Sequence, residues 1–202
     1  MLLSHPNLLN GTPWNNRRVG LLGGSFNPAH EGHIHISLVA LKMLRLDAIW
    51  WLVTPQNPLK SAQGLAPYKQ RLDYCQQIVQ HPRILVTNLE EQISSRYTYE
   101  TICTLGAHFP LTDFVYITGM DNALSFHKWH KWKDMLSMIP TAHIARPPAH
   151  NLIRNCPLRA LNTQKHITLH HAKKLKLEPH TTFWIKERKM LRISSTEIRK
   201  SR

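Results

Sequence analysis

Two histidines, His30 and His33, bracket Gly32 directly after a glycine turn, Gly23-Gly24-Ser25-Phe26-Asn27-Pro28. An imidazole can present an N–H donor, and glycines let an anion approach backbone amides closely. The chemistry this suits is the holding of phosphate. Before the turn lies a short apolar run, Val19 to Leu22, which reads as a β-strand. After it, Ile34 to Leu46 carries apolar residues at helical spacing. Strand, turn and helix together set both histidines at a helix N-terminus, where unpaired N–H groups and the helix dipole attract negative charge. His30, His33 and His35 lack the defined partner set and cysteine cluster of a zinc site, so no protein metal site is expected.

The elements that must position this turn can be read along the chain. Ala48 to Val53 is a second apolar run, and strand, helix, strand makes a βαβ unit with parallel pairing. Thr54 to Pro67 is a loop rich in proline and glycine. Helical spacing returns in Tyr68 to Gln80, with Pro67 at its start, and Ile84 to Val86 is a third strand. Thr98 to His108 reads as a helix with Thr98 as its N-cap. Phe114 to Thr118 is a fourth strand, ending at Gly119-Met120-Asp121. Trp129 and Trp132 precede a helical stretch to Ile139, and Ala142 to Ala145 is a fifth strand closed by Arg146-Pro147-Pro148. His166 to Leu169 and Phe183 to Ile185 form a further strand pair. Ser194 with Glu197 three residues later is a capping box that starts a last helix. The alternation predicts an α/β fold, a Rossmann-like doubly wound and mainly parallel sheet, with ligands outside the carboxyl ends of the strands.

The chain has 202 residues, enough for one domain with a substantial core: a loose leader over 1–16 and a single domain over 17–202 are expected. Twenty-six basic against 12 acidic residues give a net charge of +14, which implies an anionic partner. The excess is mostly dispersed, densest over His166 to Lys176 and Lys186 to Arg202, and fits a nucleotide enzyme or plain solubility as readily as a polynucleotide track. Cys75, Cys103 and Cys156 are far apart, as free thiols of a reducing cytoplasm would be. No apolar run approaches the ~20 residues that cross a bilayer.

The phosphate turn with His-x-Gly-His, the distant Ile193-Ser194-Ser195-Thr196-Glu197-Ile198-Arg199 and the strand–helix alternation together resemble the nucleotidylyltransferase superfamily. Within it the sequence resembles the bacterial nicotinate-mononucleotide adenylyltransferases. Asn57-Pro58-Leu59-Lys60, Tyr97-Thr98, Gly119-Met120-Asp121 with Trp129, and Arg146-Pro147 follow in that family's order. Ser25, Asn27, Leu59 and Arg96 depart from its pattern.

The resemblance implies transfer of AMP from ATP to nicotinate mononucleotide, giving nicotinate adenine dinucleotide (deamido-NAD) and pyrophosphate in NAD biosynthesis. It implies catalytic roles for His30, His33, Lys60 and Arg199, with charged imidazolium serving better than neutral imidazole. Gly23, Gly24, Ser25, Phe26, Gly119, Asp121, Arg146, Ile193, Ser195 and Thr196 would bind ATP. Tyr97, Thr98 and Trp129 would hold the pyridine nucleotide, leaving Trp132 for packing. Mg²⁺ would arrive with ATP rather than on protein side chains. Neither nucleic acid nor membrane is an expected partner, and a homo-oligomer is left open. The alternatives are an adenylyltransferase for nicotinamide mononucleotide or phosphopantetheine, or, by charge alone, a basic nucleic-acid-binding domain.

Overall fold

The computed structural model describes residues 5–55, 64–145 and 156–186. Seven strands form one sheet: β1 Arg18–Gly24, β2 Ala48–Val53, β3 Ile84–Thr87, β4 Asp113–Gly119, β5 Thr141–Ile144, β6 Lys165–Leu169 and β7 Thr181–Ile185. Their order is β3-β2-β1-β4-β5-β7-β6, and every pairing is parallel. The helices are α1 Glu31–Met43, α2 Tyr68–Ile78, α3 Leu89–Gln92, α4 Thr98–His108, α5 Met120–Ser125 and α6 Trp132–Met138. The chain works outward from β1 to β3 on one side, then returns to β4 beside β1 and continues the other way. The switch point therefore lies between β1 and β4, at the glycine turn.

Burial on both faces explains the strand composition. All six residues of β2, Ala48 to Val53, are buried, as a parallel strand covered on both sides requires. Trp50 and Trp51 point to opposite faces because side chains alternate along a strand. Trp50 joins the core beneath α4, α5 and α6 with Leu21, Tyr116, Phe126 and Trp184. Trp51 joins the core beneath α1 and α2 with Leu22, Phe26, Val39, Leu41, Cys75, Ile117 and Phe183.

Several boundaries differ from the sequence expectations. α1 begins at Glu31 rather than Ile34, because His30 caps it. α3 and α5 are too short to carry a periodic signal, and Met120 and Asp121, read as the end of the fourth strand, open α5. Ala145 lies just beyond β5. The helix expected from Ser194 lies outside the described residues.

Trp14 departs from the picture of a loose leader. Its indole is 1% exposed and meets Trp50 edge-on, with ring centroids 4.8 Å apart. Its carbonyl accepts from the Thr112 hydroxyl at 2.9 Å, and Asn16 N–H donates to Leu111 O at 2.7 Å. Proline and asparagine around Trp14 mask an anchor that only a filled core reveals. Trp14→Ala should cost about 3–5 kcal/mol of folding stability, from lost burial plus the cavity left behind. Denaturant titration checks this, and an unchanged midpoint would place the indole outside the core.

Candidate functional site

The glycine turn sits where β1 leaves the sheet. Gly23 and Gly24 still pair with Leu52 and Val53 of β2, and Thr54 N–H donates to Gly24 O at 3.0 Å. A Cβ on Gly23 would run into the Tyr116 hydroxyl, so no larger residue fits without displacing that ring. Phe26 then takes φ +45°, a left-handed conformation that costs about 1–3 kcal/mol in a non-glycine residue. Stacking compensates: its ring lies 4.7 Å from Trp51 at 16° and 4.8 Å from His33.

His30 and His33 lock the helix start reciprocally. Gly32 N–H donates to His30 Nδ1 at 3.0 Å, and His30 N–H donates to His33 Nδ1 at 3.2 Å. The rings sit 4.0 Å apart. Both Nδ1 atoms accept from backbone, so each neutral ring carries its proton on Nε2. A proton on Nδ1 would face an N–H donor, so this cap fits the neutral donor form of each ring. The helix is tied to the sheet behind them, since the Trp51 indole N–H donates to Ser37 Oγ at 2.8 Å and that hydroxyl donates to His33 O at 2.9 Å.

A second cluster faces the turn across β4. Tyr97 is the N-cap of α4 and Thr98 its first residue, so Thr98 does not cap the helix as expected. Its side chain bonds to Tyr116 instead, and the Glu100 carboxylate accepts from Arg96 and Tyr97 N–H at 2.8 and 3.2 Å. Burial, with the charge of Glu90, raises the Tyr116 pKa, against the Thr98 bond. Tyr116 meets Trp129 edge-on at 5.9 Å, and Trp129 stacks on Phe126 at 5.0 Å. Tyr97 packs on His130 at 4.4 Å. Tyr116 thus touches both the glycine turn and the Tyr97, Thr98, Trp129 group. Trp132 is partly buried against the same core.

Three residues given no role by the sequence reading hold these pieces. Arg71 is 2% exposed yet donates to four backbone carbonyls, those of Ser25, Thr54, Pro55 and Ala66. Asn27 uses both ends of its amide, with Nδ2 donating to Gly64 O at 2.8 Å and Oδ1 accepting from Ala66 N–H at 3.2 Å. An aspartate could only accept there. Glu90 on α3 is buried and accepts from Thr101 Oγ1 at 3.2 Å. Burial raises its pKa, opposed by hydrogen bonds from Thr54 and Thr101. Arg71 had one sequence signal, a charge on the Tyr68–Cys75 face of α2, whereas Glu90, beside Glu91 and Gln92, had none.

Gly119 ends β4, and Asp121 lies in the first turn of α5. Beside them Thr118 Oγ1 sits 2.7 Å from His143 Nδ1 and donates to Gly119 O at 3.0 Å. His143 is fully buried between Phe126 and Trp184, and Nε2 has no hydrogen-bond partner among the described residues. Burial pulls its pKa down to about 3, with His166 adding to the shift and Asp121 opposing it.

The structure therefore brings Gly23, Gly24, Ser25, Phe26, His30 and His33 together at the switch point, with Gly119 and Asp121 at the end of neighbouring β4. Thr98 and Trp129 both contact Tyr116, and Tyr97, next in the chain to Thr98, packs on His130. Lys60, Arg146, Ile193, Ser195, Thr196 and Arg199 lie outside the described residues. Among the described residues no three His, Cys, Asp or Glu side chains converge as metal ligands, and no helix is long and apolar enough to cross a membrane.

A doubly wound parallel sheet with a glycine turn and a histidine-capped helix at its switch point defines a nucleotide-binding α/β protein. The chain belongs to the cytidylyltransferase-like family, whose model matches residues 21–201. A relative from Cereibacter sphaeroides named "Probable nicotinate-nucleotide adenylyltransferase" is 39% identical over 181 residues, 90% of this chain and 95% of that one. A relative of the same name from Parvibaculum lavamentivorans is 45% identical over 130 residues, 64% of this chain and 65% of that one. Among solved structures, the Plasmodium falciparum nicotinic acid mononucleotide adenylyltransferase complexed with NaAD superimposes with a TM-score of 0.67. It is 19% identical, over 91% of this chain and 83% of that one, and so shares the fold.

Burial of neutral His143 makes a pH prediction. The folded pKa, about 3, lies below the ordinary 6.5, so the unfolded chain binds the proton first. His143 thus costs stability progressively as pH falls from about 6.5 toward 3, with a slope up to about 1.4 kcal/mol per pH unit. Glu90, with its raised pKa, acts with the opposite sign above its ordinary value. The difference between wild type and His143→Gln isolates the histidine: unfolding free energies measured from pH 7 to 4 should converge as pH falls. A constant difference would mean that His143 is protonated in the fold.

Proposed function

We propose that the chain transfers the AMP moiety of ATP to nicotinate mononucleotide, yielding deamido-NAD and pyrophosphate. The reciprocal His30–His33 cap beside the glycine turn is the observation that supports this most directly. It sets two imidazoles side by side at a helix N-terminus next to the glycine turn. The 39% identity over 181 residues to a nicotinate-nucleotide adenylyltransferase narrows the acceptor.

In the reaction an oxygen of the mononucleotide 5′-phosphate bonds to the α-phosphorus of ATP. The bond from that phosphorus to the bridging oxygen breaks, and its electron pair leaves with pyrophosphate. A phosphate monoester with a second pKa of about 6 is already mostly dianionic at neutral pH, so no general base is needed. Positioning and charge neutralisation remain as the protein's work. The amides of Gly23 to Phe26 and the Nε2–H groups of His30 and His33 would hold phosphoryl oxygens while charge builds on them. Tyr97, Thr98 and Trp129 would take the pyridine nucleotide, and Gly119 and Asp121 the adenosine side. By resemblance, Lys60, Arg199, Ser195 and Thr196 would grip the ATP phosphates, and Arg146 and Ile193 the rest of the nucleotide.

Nitrogen donors at the turn suit phosphate oxygens rather than a hard cation, so Mg²⁺ would be held by the nucleotide phosphates and water, neutralising their charge. Three free cysteines fit a cytoplasmic setting.

Pyrophosphate release from ATP with nicotinate mononucleotide, nicotinamide mononucleotide and phosphopantetheine, compared side by side, tests the assignment. Nicotinate mononucleotide should give the highest kcat/KM; preference for phosphopantetheine would overturn it. Trp129→Ala should raise KM for the pyridine nucleotide by on the order of tenfold through lost stacking, leaving KM for ATP near its wild-type value. An equal rise in both would remove Trp129 from the pyridine pocket.

A further inference from the structure

We propose that Arg71 is a positioning residue for adenylyl transfer, a clamp that sets the phosphate turn without touching substrate. Its Nη1 donates to Ser25 O at 2.6 Å and to Thr54 O at 2.8 Å, its Nη2 to Pro55 O at 2.7 Å, and its Nε to Ala66 O at 3.0 Å. Ser25 belongs to the turn after β1, and Thr54 and Pro55 follow β2. Ala66 leads into α2. One side chain from α2 therefore fastens the ends of two neighbouring strands to the start of its own helix.

This is an unusual use of a charge. A buried guanidinium is costly unless its donors are satisfied, and a carboxylate is the ordinary partner. Among the described residues none accepts from Arg71; four carbonyls do. Only a planar group with donors on three nitrogens spans carbonyls from three separate segments. The guanidinium, which also lies 5.5 Å from the Tyr68 ring centroid, sits under the turn that would meet a triphosphate. Strain in the turn gives the clamp its purpose, since Phe26 at φ +45° follows the residue that Arg71 holds. Asn27 supports the same junction through Gly64 and Ala66. Thr54 carries the link onward, because its N–H donates to Gly24 O and its side chain bonds to Glu90.

The test rests on the activity proposed above and compares wild type, Arg71→Lys, Arg71→Ala and Trp14→Ala, the last serving as a stability control remote from the turn. For each, the measurements are kcat, KM for both substrates, the dissociation constant for ATP by calorimetry, and the thermal midpoint. A lysine keeps the charge but donates from a single nitrogen, so Arg71→Lys should lose about tenfold or more in kcat and bind ATP more weakly. Trp14→Ala should keep kcat at temperatures where it is folded. Added guanidinium should restore turnover to Arg71→Ala and leave Trp14→Ala unchanged. Wild-type kcat and ATP affinity in Arg71→Lys would overturn the proposal, as would an equal loss in Trp14→Ala. Should Arg71→Ala not fold, Arg71→Lys decides alone. If wild type turns over neither substrate pair, the adenylyl-transfer function fails, while ATP affinity still judges the clamp.

Discussion

The carboxyl end of β1 is the fixed point of the molecule. β1 is hydrogen-bonded along both edges, by β2 and by β4, and these neighbours lead the chain away in opposite directions. A backbone leaving the sheet there has N–H and C=O groups that the ladder no longer satisfies. Burying them unpaired would be expensive. The site is the solution to that problem: some groups go to Thr54 and Arg71, and the start of α1 is closed by two imidazoles.

Rigidity follows from the same arrangement. Trp51 backs Phe26 on one side and reaches α1 through Ser37 on the other, so turn, strand and helix share one support. Phosphoryl transfer asks the protein for placement more than for covalent chemistry. A turn held by aromatic stacking, by a buried guanidinium and by an asparagine amide meets that demand better than a loose glycine loop. On the other face, Tyr116 makes the glycine turn and the Thr98–Trp129 group parts of one packed unit.

Buried polar groups gather near the strand ends, with Arg71, Glu90 and the Thr118–His143 pair all inside the core. Elsewhere the sheet interior is dominated by tryptophan, leucine, isoleucine and valine. Buried polar residues are costly unless satisfied and bind neighbouring segments into one geometry when they are. A second polar group, Thr141, Gln164, Thr181 and Thr182, is buried at the opposite ends of the β5–β7 strands, where Thr182 donates to Gln164 Oε1 at 3.0 Å.

Local pattern alone determined a good deal. Short, mostly apolar runs of three to six residues marked all seven strands, and the strand, Gly23-Gly24 turn and His30–His33 spacing marked the switch-point helix. Such signals survive in sequence because burial and helical periodicity are short-range. α3 and α5 escaped because four to six residues cannot establish a period. What tertiary structure decided was partnership across distance: Trp14 filling the core against Trp50, Tyr116 drawing Thr98 away from a capping role, Arg71 choosing four carbonyls over a carboxylate. It also decided that His30 and His33 each turn Nδ1 to a backbone N–H at the start of α1. A side chain's type lists the bonds it can make, but only the folded register of separate segments selects which of them form.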